Sequence, residues 1–148
     1  MSPALFVATL GGVGRLRPAP GSWGSAVVLP LVLLGPMACL VLAVLLGIAG
    51  FWAARRVVAE QDQDPSWFVA DEGAGMLIAL AALPGVSLLG VLIAFTLFRL
   101  FDITKPGPIG WADRQKGAFG IMLDDVLAGI LTAALLILLG TFAPGVLR

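Results

Sequence analysis

SAVVLPLVLLGPMACLVLAVLLGIAGFWAA, residues 25–54, is a run of 30 residues without a charged side chain. Two more uncharged runs follow it, 26 residues at 73–98 and 22 residues at 126–147. Each run exceeds the roughly 18 apolar residues that mark a candidate membrane span. Because hydrocarbon offers the backbone no hydrogen-bonding partner, runs of this length have to be helical. The sequence therefore predicts an all-α integral membrane protein in which residues 1–148 form a single membrane-embedded domain.

The composition of the chain excludes several other classes of protein. Hydrophobic residues make up 59% and charged residues 12%, whereas soluble domains carry about 25% charged residues. Histidine is absent, and the one cysteine, Cys39, lies in an apolar run. Imidazole catalysis and an internal disulfide are thereby excluded. A net charge of zero gives no basic footprint for nucleic acid. Residues 1–10 have no basic side chain before Gly11-Gly12, so we do not expect a secretory signal there.

Helix-breaking pairs interrupt the first two apolar runs, at Gly35-Pro36 and at Pro84-Gly85. Such pairs favour a hairpin tip or a kink, so the sequence predicts a multi-helix bundle with kinked or hairpin transmembrane helices. The legs of the second run, 73–83 and 86–101, rise about 16 and 24 Å, less than the roughly 30 Å hydrocarbon core. We therefore expect them to be re-entrant or sheltered by neighbours. The third run, from 121 to about 142, is long enough to cross. Residues 61–66 and 104–119 are polar and are predicted to be connections.

The basic residues indicate the orientation of the chain in the membrane. If both early runs are hairpins, a single side of the membrane holds eight of the nine basic side chains and leaves Arg148 on the other. Those eight are Arg15, Arg17, Arg55, Arg56, Arg99, Lys105, Arg114 and Lys116. By the positive-inside rule this side faces the cytoplasm.

Acidic residues collect at the same predicted face. The acids concerned are Asp71, Glu72, Asp102, Asp113, Asp124 and Asp125. An ionised carboxylate at the end of an apolar run is unfavourable unless a cation neutralises it. Carboxylates without histidine or cysteine favour a hard ion, magnesium or calcium. Any single acid could instead be a helix N-cap or an interfacial ion pair. A metal site is favoured because five acids are expected to converge, namely Asp71, Glu72, Asp102, Asp124 and Asp125.

Small residues accompany these acids along the chain. Residues 73–75, Gly-Ala-Gly, should let another helix approach closely. On the last helix Asp125 shares a predicted inward stripe with Ala128, Gly129 and Thr132. The acids are therefore expected where helices pack most tightly.

Two cationic side chains and one Gly-rich segment are candidates for phosphate binding. Arg99 and Asp102 are three residues apart and should pair on one helix face. The prolines after Lys105 should hold it near Asp102, as a phosphate ligand or as an interfacial anchor. The segment around Ser22, Gly24 and Ser25 opens the first apolar helix, where backbone amides can bind an anion. A helix cap by Ser22 or Ser25 is the alternative.

Five separated motifs resemble those of the phosphatidylglycerophosphatase A family. They are APGSWGS at 19–25, DP at 64–65, VADEG at 69–73, FRLFDITKPGPI at 98–109 and GIMLDDVLAG at 120–129. Together they cover most of the chain in order. Two positions depart from the family pattern: Ser22 stands where threonine is usual, and Gly107 stands where an aromatic residue is common.

The resemblance implies a magnesium-dependent phosphatase of the bacterial inner membrane, which converts phosphatidylglycerophosphate to phosphatidylglycerol and phosphate. Its predicted metal ligands are Asp71, Glu72, Asp102, Asp124 and Asp125. Its predicted catalytic residues are Asp71, Glu72, Asp102, Lys105 and Asp125, and its substrate-binding residues are Ser22, Gly24, Ser25, Arg99 and Lys105. Either Glu72 or Asp125 would assist attack by water. Nucleophilic attack by Asp102, giving an aspartyl phosphate, is left open.

One reading from another class stays open on the sequence. Acids within broken membrane helices are also typical of a transporter or ion pathway. Against it, most of the acids lie at the ends of apolar runs, and the chain is short unless it forms a homo-oligomer, which the sequence does not decide.

Overall fold

The computed structural model of the chain describes residues 1–58 and 64–148. In these two ranges all regular secondary structure is helical, which confirms the predicted all-α class. The α helices are α1 (Pro3–Ala8), α2 (Pro20–Val27), α3 (Pro36–Val57), α4 (Ala70–Ala81), α5 (Leu88–Thr104), α6 (Pro108–Asp113) and α7 (Gly117–Phe142). Val13–Arg15 and Leu29–Leu34 form 3₁₀ helices. Residues 61–63 of the predicted connection at 61–66 lie outside the described ranges.

The first apolar run breaks at the predicted position. Gly35 adopts φ 90° and ψ 166°, a conformation that favours glycine, and Pro36 then begins α3. The Cys39 thiol donates a hydrogen bond to the Leu31 carbonyl oxygen across this break, at 3.4 Å. The segment before Gly35 therefore folds back on α3, as a hairpin does.

Two helices, α3 and α7, are long and apolar enough to cross a membrane. Their 22 and 26 residues correspond to lengths of about 33 and 39 Å. Large apolar side chains on both are exposed, including Ile48 on α3 and Ile137 on α7. Such surfaces are suited to contact with lipid rather than with water.

Helix α4 lies at the centre of the bundle, packed against α3 and α7. Ten of its 12 residues are buried, and its length of about 18 Å is too short to span a bilayer. This confirms that the first leg of the second run is sheltered by neighbours. A Cβ added to Gly129 of α7 would collide with the Gly75 carbonyl oxygen, so the two glycines allow the helix backbones to touch. The prediction of close approach at 73–75 is thereby confirmed.

The predicted connection at 104–119 is partly wrong, because it contains α6 and the start of α7. Pro108 is the first residue of α6, a position where its missing N–H group is not needed. Ile109 and Ala112 are fully buried, and α6 packs on α7. The segment is polar on average, so its composition did not indicate the apolar side of α6 that packs on α7.

Candidate active site

Three carboxylates converge between α4 and α7. Asp71 and Glu72 come from the first turn of α4, and Asp125 comes from the third turn of α7. One oxygen from each lies within 4.8 Å of the other two, and all three side chains are buried. We call Asp71, Glu72 and Asp125 the carboxylate triad.

Each member of the carboxylate triad has an unsatisfied oxygen. Asp71 Oδ2, Glu72 Oε2 and Asp125 Oδ1 are buried and have no hydrogen-bond partner among the described residues. Buried carboxylates so close together repel one another unless a proton or a cation intervenes. Three oxygen donors without nitrogen or sulfur suit a hard divalent cation, so the residues present fit magnesium.

Beside the triad lies an ion-pair network formed by Arg99, Asp102, Lys105 and Asp124. The Arg99 guanidinium contacts the Asp102 carboxylate, which confirms the predicted pair, and lies 3.9 Å from Glu72 Oε1.

Lys105 Nζ is 2.6 Å from Asp124 Oδ2 and 3.6 Å from Asp102 Oδ1. The exposed Asp113 approaches the same ammonium at 3.2 Å. Asp102 and Asp124 thus have cationic partners, whereas the part of the chain that the structure describes gives none to Asp71 or Asp125.

Lys105 is held in an uncommon backbone conformation. It caps the C-terminus of α5 with φ 48° and ψ 56°, in the left-handed region that residues other than glycine rarely adopt. Burial lowers the pKa of the Lys105 ammonium, but Asp124 and Asp102 outweigh burial and leave that pKa above its usual value. The strained backbone thus presents a permanently charged ammonium to the acids.

Asp64 was not among the predicted site residues, although the charges of the acidic site act on it. Its side chain is exposed to solvent. Nearby protein atoms and the negative charges of Glu72 and Asp124 nevertheless raise the pKa of Asp64 to about 8. The Asp-Pro pair at 64–65 was the signal in the sequence that could have identified it.

The predicted substrate-binding segment packs against the site from α2. Gly24 is buried against Val69, and the Ser25 hydroxyl donates to the Gly21 carbonyl oxygen at 2.9 Å. Ser22 is half-buried. The alternative of a helix cap by Ser22 or Ser25 is wrong, because Ala19 is the N-cap and Pro20 the first residue of α2.

Gly21 is a second residue that the sequence reasoning missed. A Cβ at this position would overlap Glu72 Oε1 and crowd the Arg99 guanidinium. A glycine is therefore needed where α2 meets the Glu72–Arg99 pair.

Two long apolar helices and a buried acidic centre are features of membrane-bound enzymes, and comparison with known proteins gives the family. The sequence profile of the family described as phosphatidylglycerophosphatase A (PgpA) matches residues 6–140. The chain belongs to this family, as the motifs predicted.

Named relatives agree with this membership. A Haemophilus influenzae protein named phosphatidylglycerophosphatase A is 40% identical over 88% of this chain and 84% of its own length. An Escherichia coli protein of the same name is 36% identical over 90% of this chain and 81% of its own length. A Bacteroides thetaiotaomicron protein, provisionally named a phosphatidylinositol-3-phosphatase, is 38% identical over 85% of this chain and 86% of its own. No solved structure matches the chain. The comparisons do not favour the transporter alternative.

Proposed function

We propose that this protein hydrolyses the terminal phosphomonoester of phosphatidylglycerophosphate, releasing phosphatidylglycerol and inorganic phosphate in a magnesium-dependent step of bacterial phospholipid synthesis. The observation that carries the proposal is the carboxylate triad with its three unsatisfied oxygens, next to two cations, in a chain of this family. A dianionic phosphomonoester needs positive charge around its transferring oxygens. The triad and the network together offer that chemistry.

The metal ion would be held by the three carboxylates of the triad, Asp71, Glu72 and Asp125. The chemistry that magnesium supplies at such a site is Lewis-acid polarisation of a phosphoryl oxygen. Lys105 and Arg99 would bind the remaining phosphoryl oxygens, since both lie beside the triad and both carry a fixed charge. In this role each cation would exchange part of its contact with Asp102 or Asp124 for contact with the substrate.

The nucleophile in our proposal is water, and Glu72 or Asp125 takes its proton. Both carboxylates have an unsatisfied oxygen, which is what a general base needs. In the covalent alternative, Asp102 displaces phosphatidylglycerol to form an aspartyl phosphate, and water then releases phosphate. Rapid quenching with labelled substrate separates the two, because a phosphoenzyme accumulates or is trapped in the second route alone.

The test of the proposed function is phosphate release by purified protein in detergent, with magnesium and with chelator. The substrates are phosphatidylglycerophosphate and phosphatidylinositol 3-phosphate, since one relative is named for the latter. Magnesium-dependent release from phosphatidylglycerophosphate, lost in Asp71→Asn, is the expected result. A folded protein that releases phosphate from neither lipid would contradict the proposal.

We also propose a multi-pass protein of the bacterial inner membrane with its site facing the cytoplasm. Arg55 at the end of α3 and Lys116 before α7 line one cavity, so the charged ends of both long helices lie together. Single cysteines replacing Arg56 and Gly145, in a Cys39→Ala background, test this orientation. An impermeant thiol reagent should label the first in inverted vesicles and the second in intact cells. The reverse pattern would contradict the orientation.

A further inference from the structure

A cavity of about 720 Å³ opens beside the site, and the proposed chemistry does not use it. Part of its wall is formed by Leu5 of α1, the C-cap residue Thr9, Pro20 of α2 and Trp67. Volumes of roughly 300 to 1,000 Å³ are typical of sites for small molecules. The cavity is therefore large enough for a polar lipid headgroup.

Two arginines, Arg15 and Arg17, give this cavity its charge. No acidic residue is among its described lining residues, and neither arginine forms an ion pair within residues 1–58 and 64–148. A guanidinium group binds phosphate oxygens through paired N–H donors. We call this cavity the arginine pocket, and its charge favours a phosphate ligand.

Backbone hydrogen bonds hold the turn that carries Arg15. Gly14 N donates to the Thr9 carbonyl oxygen at 2.9 Å, and Arg15 N donates to the Gly12 carbonyl oxygen at 3.0 Å. Gly14 also packs on the Trp67 carbonyl so closely that no Cβ would fit. The backbone at Arg15 is therefore placed before any ligand binds.

The arginine pocket approaches the carboxylate triad at the start of α2. Pro20 lines the pocket, and the next residue, Gly21, packs against Glu72 and Arg99. Adjacent Cα atoms are about 3.8 Å apart, so a ligand of headgroup size can reach both places.

We propose that the arginine pocket binds the phosphodiester of the lipid substrate while the triad acts on the terminal phosphomonoester. This inference rests on the proposed function, since phosphatidylglycerophosphate carries both groups, one glycerol apart. Leu16, between the two arginines, is 48% exposed and apolar, which suits contact with the acyl end of the same lipid. The pocket thereby selects a substrate with a second phosphate.

The experiment compares wild type with the double variant Arg15→Gln/Arg17→Gln, using short-chain lipids in neutral detergent. Arg56→Gln is the matched control, because Arg56 is exposed and stacks on Trp52 away from the pocket. We expect the KM for phosphatidylglycerophosphate and the Ki of phosphatidylglycerol, which keeps the phosphodiester, each to rise about tenfold. The Ki of inorganic phosphate and the value of kcat should stay within about twofold.

Each other outcome has a distinct meaning. If all three constants stay unchanged, or all rise together, the pocket does not bind the phosphodiester. If wild type is inactive on phosphatidylglycerophosphate, the proposed function fails, and binding of phosphatidylglycerol measured by thermal shift becomes the test. Binding of phosphatidylglycerol that depends on the two arginines would then show that the pocket binds an anionic lipid that is not a substrate. That result would overturn the assignment of the pocket to the substrate.

Discussion

The carboxylate triad and the ion-pair network are neighbouring acidic groups with opposite surroundings. In the triad, Asp71 and Asp125 have no cationic partner within residues 1–58 and 64–148 and retain unsatisfied oxygens. In the network, Asp102 and Asp124 are bound by Arg99 and Lys105. Burial makes an unpaired charge unfavourable, so the triad suits the cation that we propose, whereas the acids of the network already have cationic partners. The five acids predicted as one ligand set therefore divide into two groups with different expected roles.

The largest effect is expected in the triad. Asp71→Asn and Asp125→Asn should each lower kcat/KM at least about a thousandfold, because each removes a charge that would hold the proposed cation. In chelator, the same variants should melt no lower than wild type, because repulsion within the triad is relieved. Phosphate release and thermal melting measure the two effects. Melting well below wild type in chelator would show that the triad is a structural group instead.

The next effect concerns how α4 and α7 bring the triad together. Gly129→Ala should push α7 away from Gly75, destabilise the fold by about 1–3 kcal/mol and lower kcat about a hundredfold. Gly47→Ala on α3 is the matched control, since a Cβ there meets no atom within 4 Å. Equal behaviour of the two variants would argue against close helix contact as the source of convergence.

A smaller loss of activity is expected in the network. Lys105→Met should lower kcat/KM about thirtyfold and, by leaving Asp124 buried without its cation, destabilise the fold by about 2 kcal/mol. Lys116→Met, at an exposed lysine before α7, is the control and should change neither quantity appreciably. Activity lost without any loss of stability would assign Lys105 to the substrate alone.

The Lys105 interaction should also depend on pH in a defined direction. Its folded pKa lies above the ordinary value of 10.5, so the stabilisation is fully present below that pH and lost as the pH rises through the folded pKa. The difference in unfolding free energy between wild type and Lys105→Met should be constant from about pH 7 to 9 and decrease above about pH 10.5. Denaturant titrations across this range measure it, and a difference that grows with alkaline pH would contradict the assignment.

The smallest effect is expected at the rim of the network. Asp113 is 3.2 Å from Lys105 Nζ, but its side chain is 41% exposed. Asp113→Asn should change stability by about 0.5 kcal/mol or less and activity by less than about twofold, because solvent screens such a pair. A loss as large as that in Lys105→Met would place Asp113 among the functional acids.

Charge and hydropathy along the chain were sufficient to predict the helical class, both breaks in the apolar runs and the acids of the triad and the network. These features are local: a long uncharged run must be helical in hydrocarbon, and Gly35-Pro36 or Pro84-Gly85 interrupts a helix wherever it occurs. The Arg99–Asp102 pair was predictable for the same reason, since its partners are one helical turn apart.

The tertiary structure alone decided which acids meet and which are neutralised. Asp71 and Asp125 are 54 positions apart, and contact between the backbones of Gly75 and Gly129 brings their helices together. Lys105, at the C-terminus of α5, reaches Asp124 of α7 and gives this acid a cationic partner. Side-chain pairing between distant elements depends on packing distances, and packing distances are not encoded in local periodicity. The proximity of the Arg15 and Arg17 cavity to the site arose in the same way, from the packing of Gly14 on Trp67 and of Gly21 on Glu72.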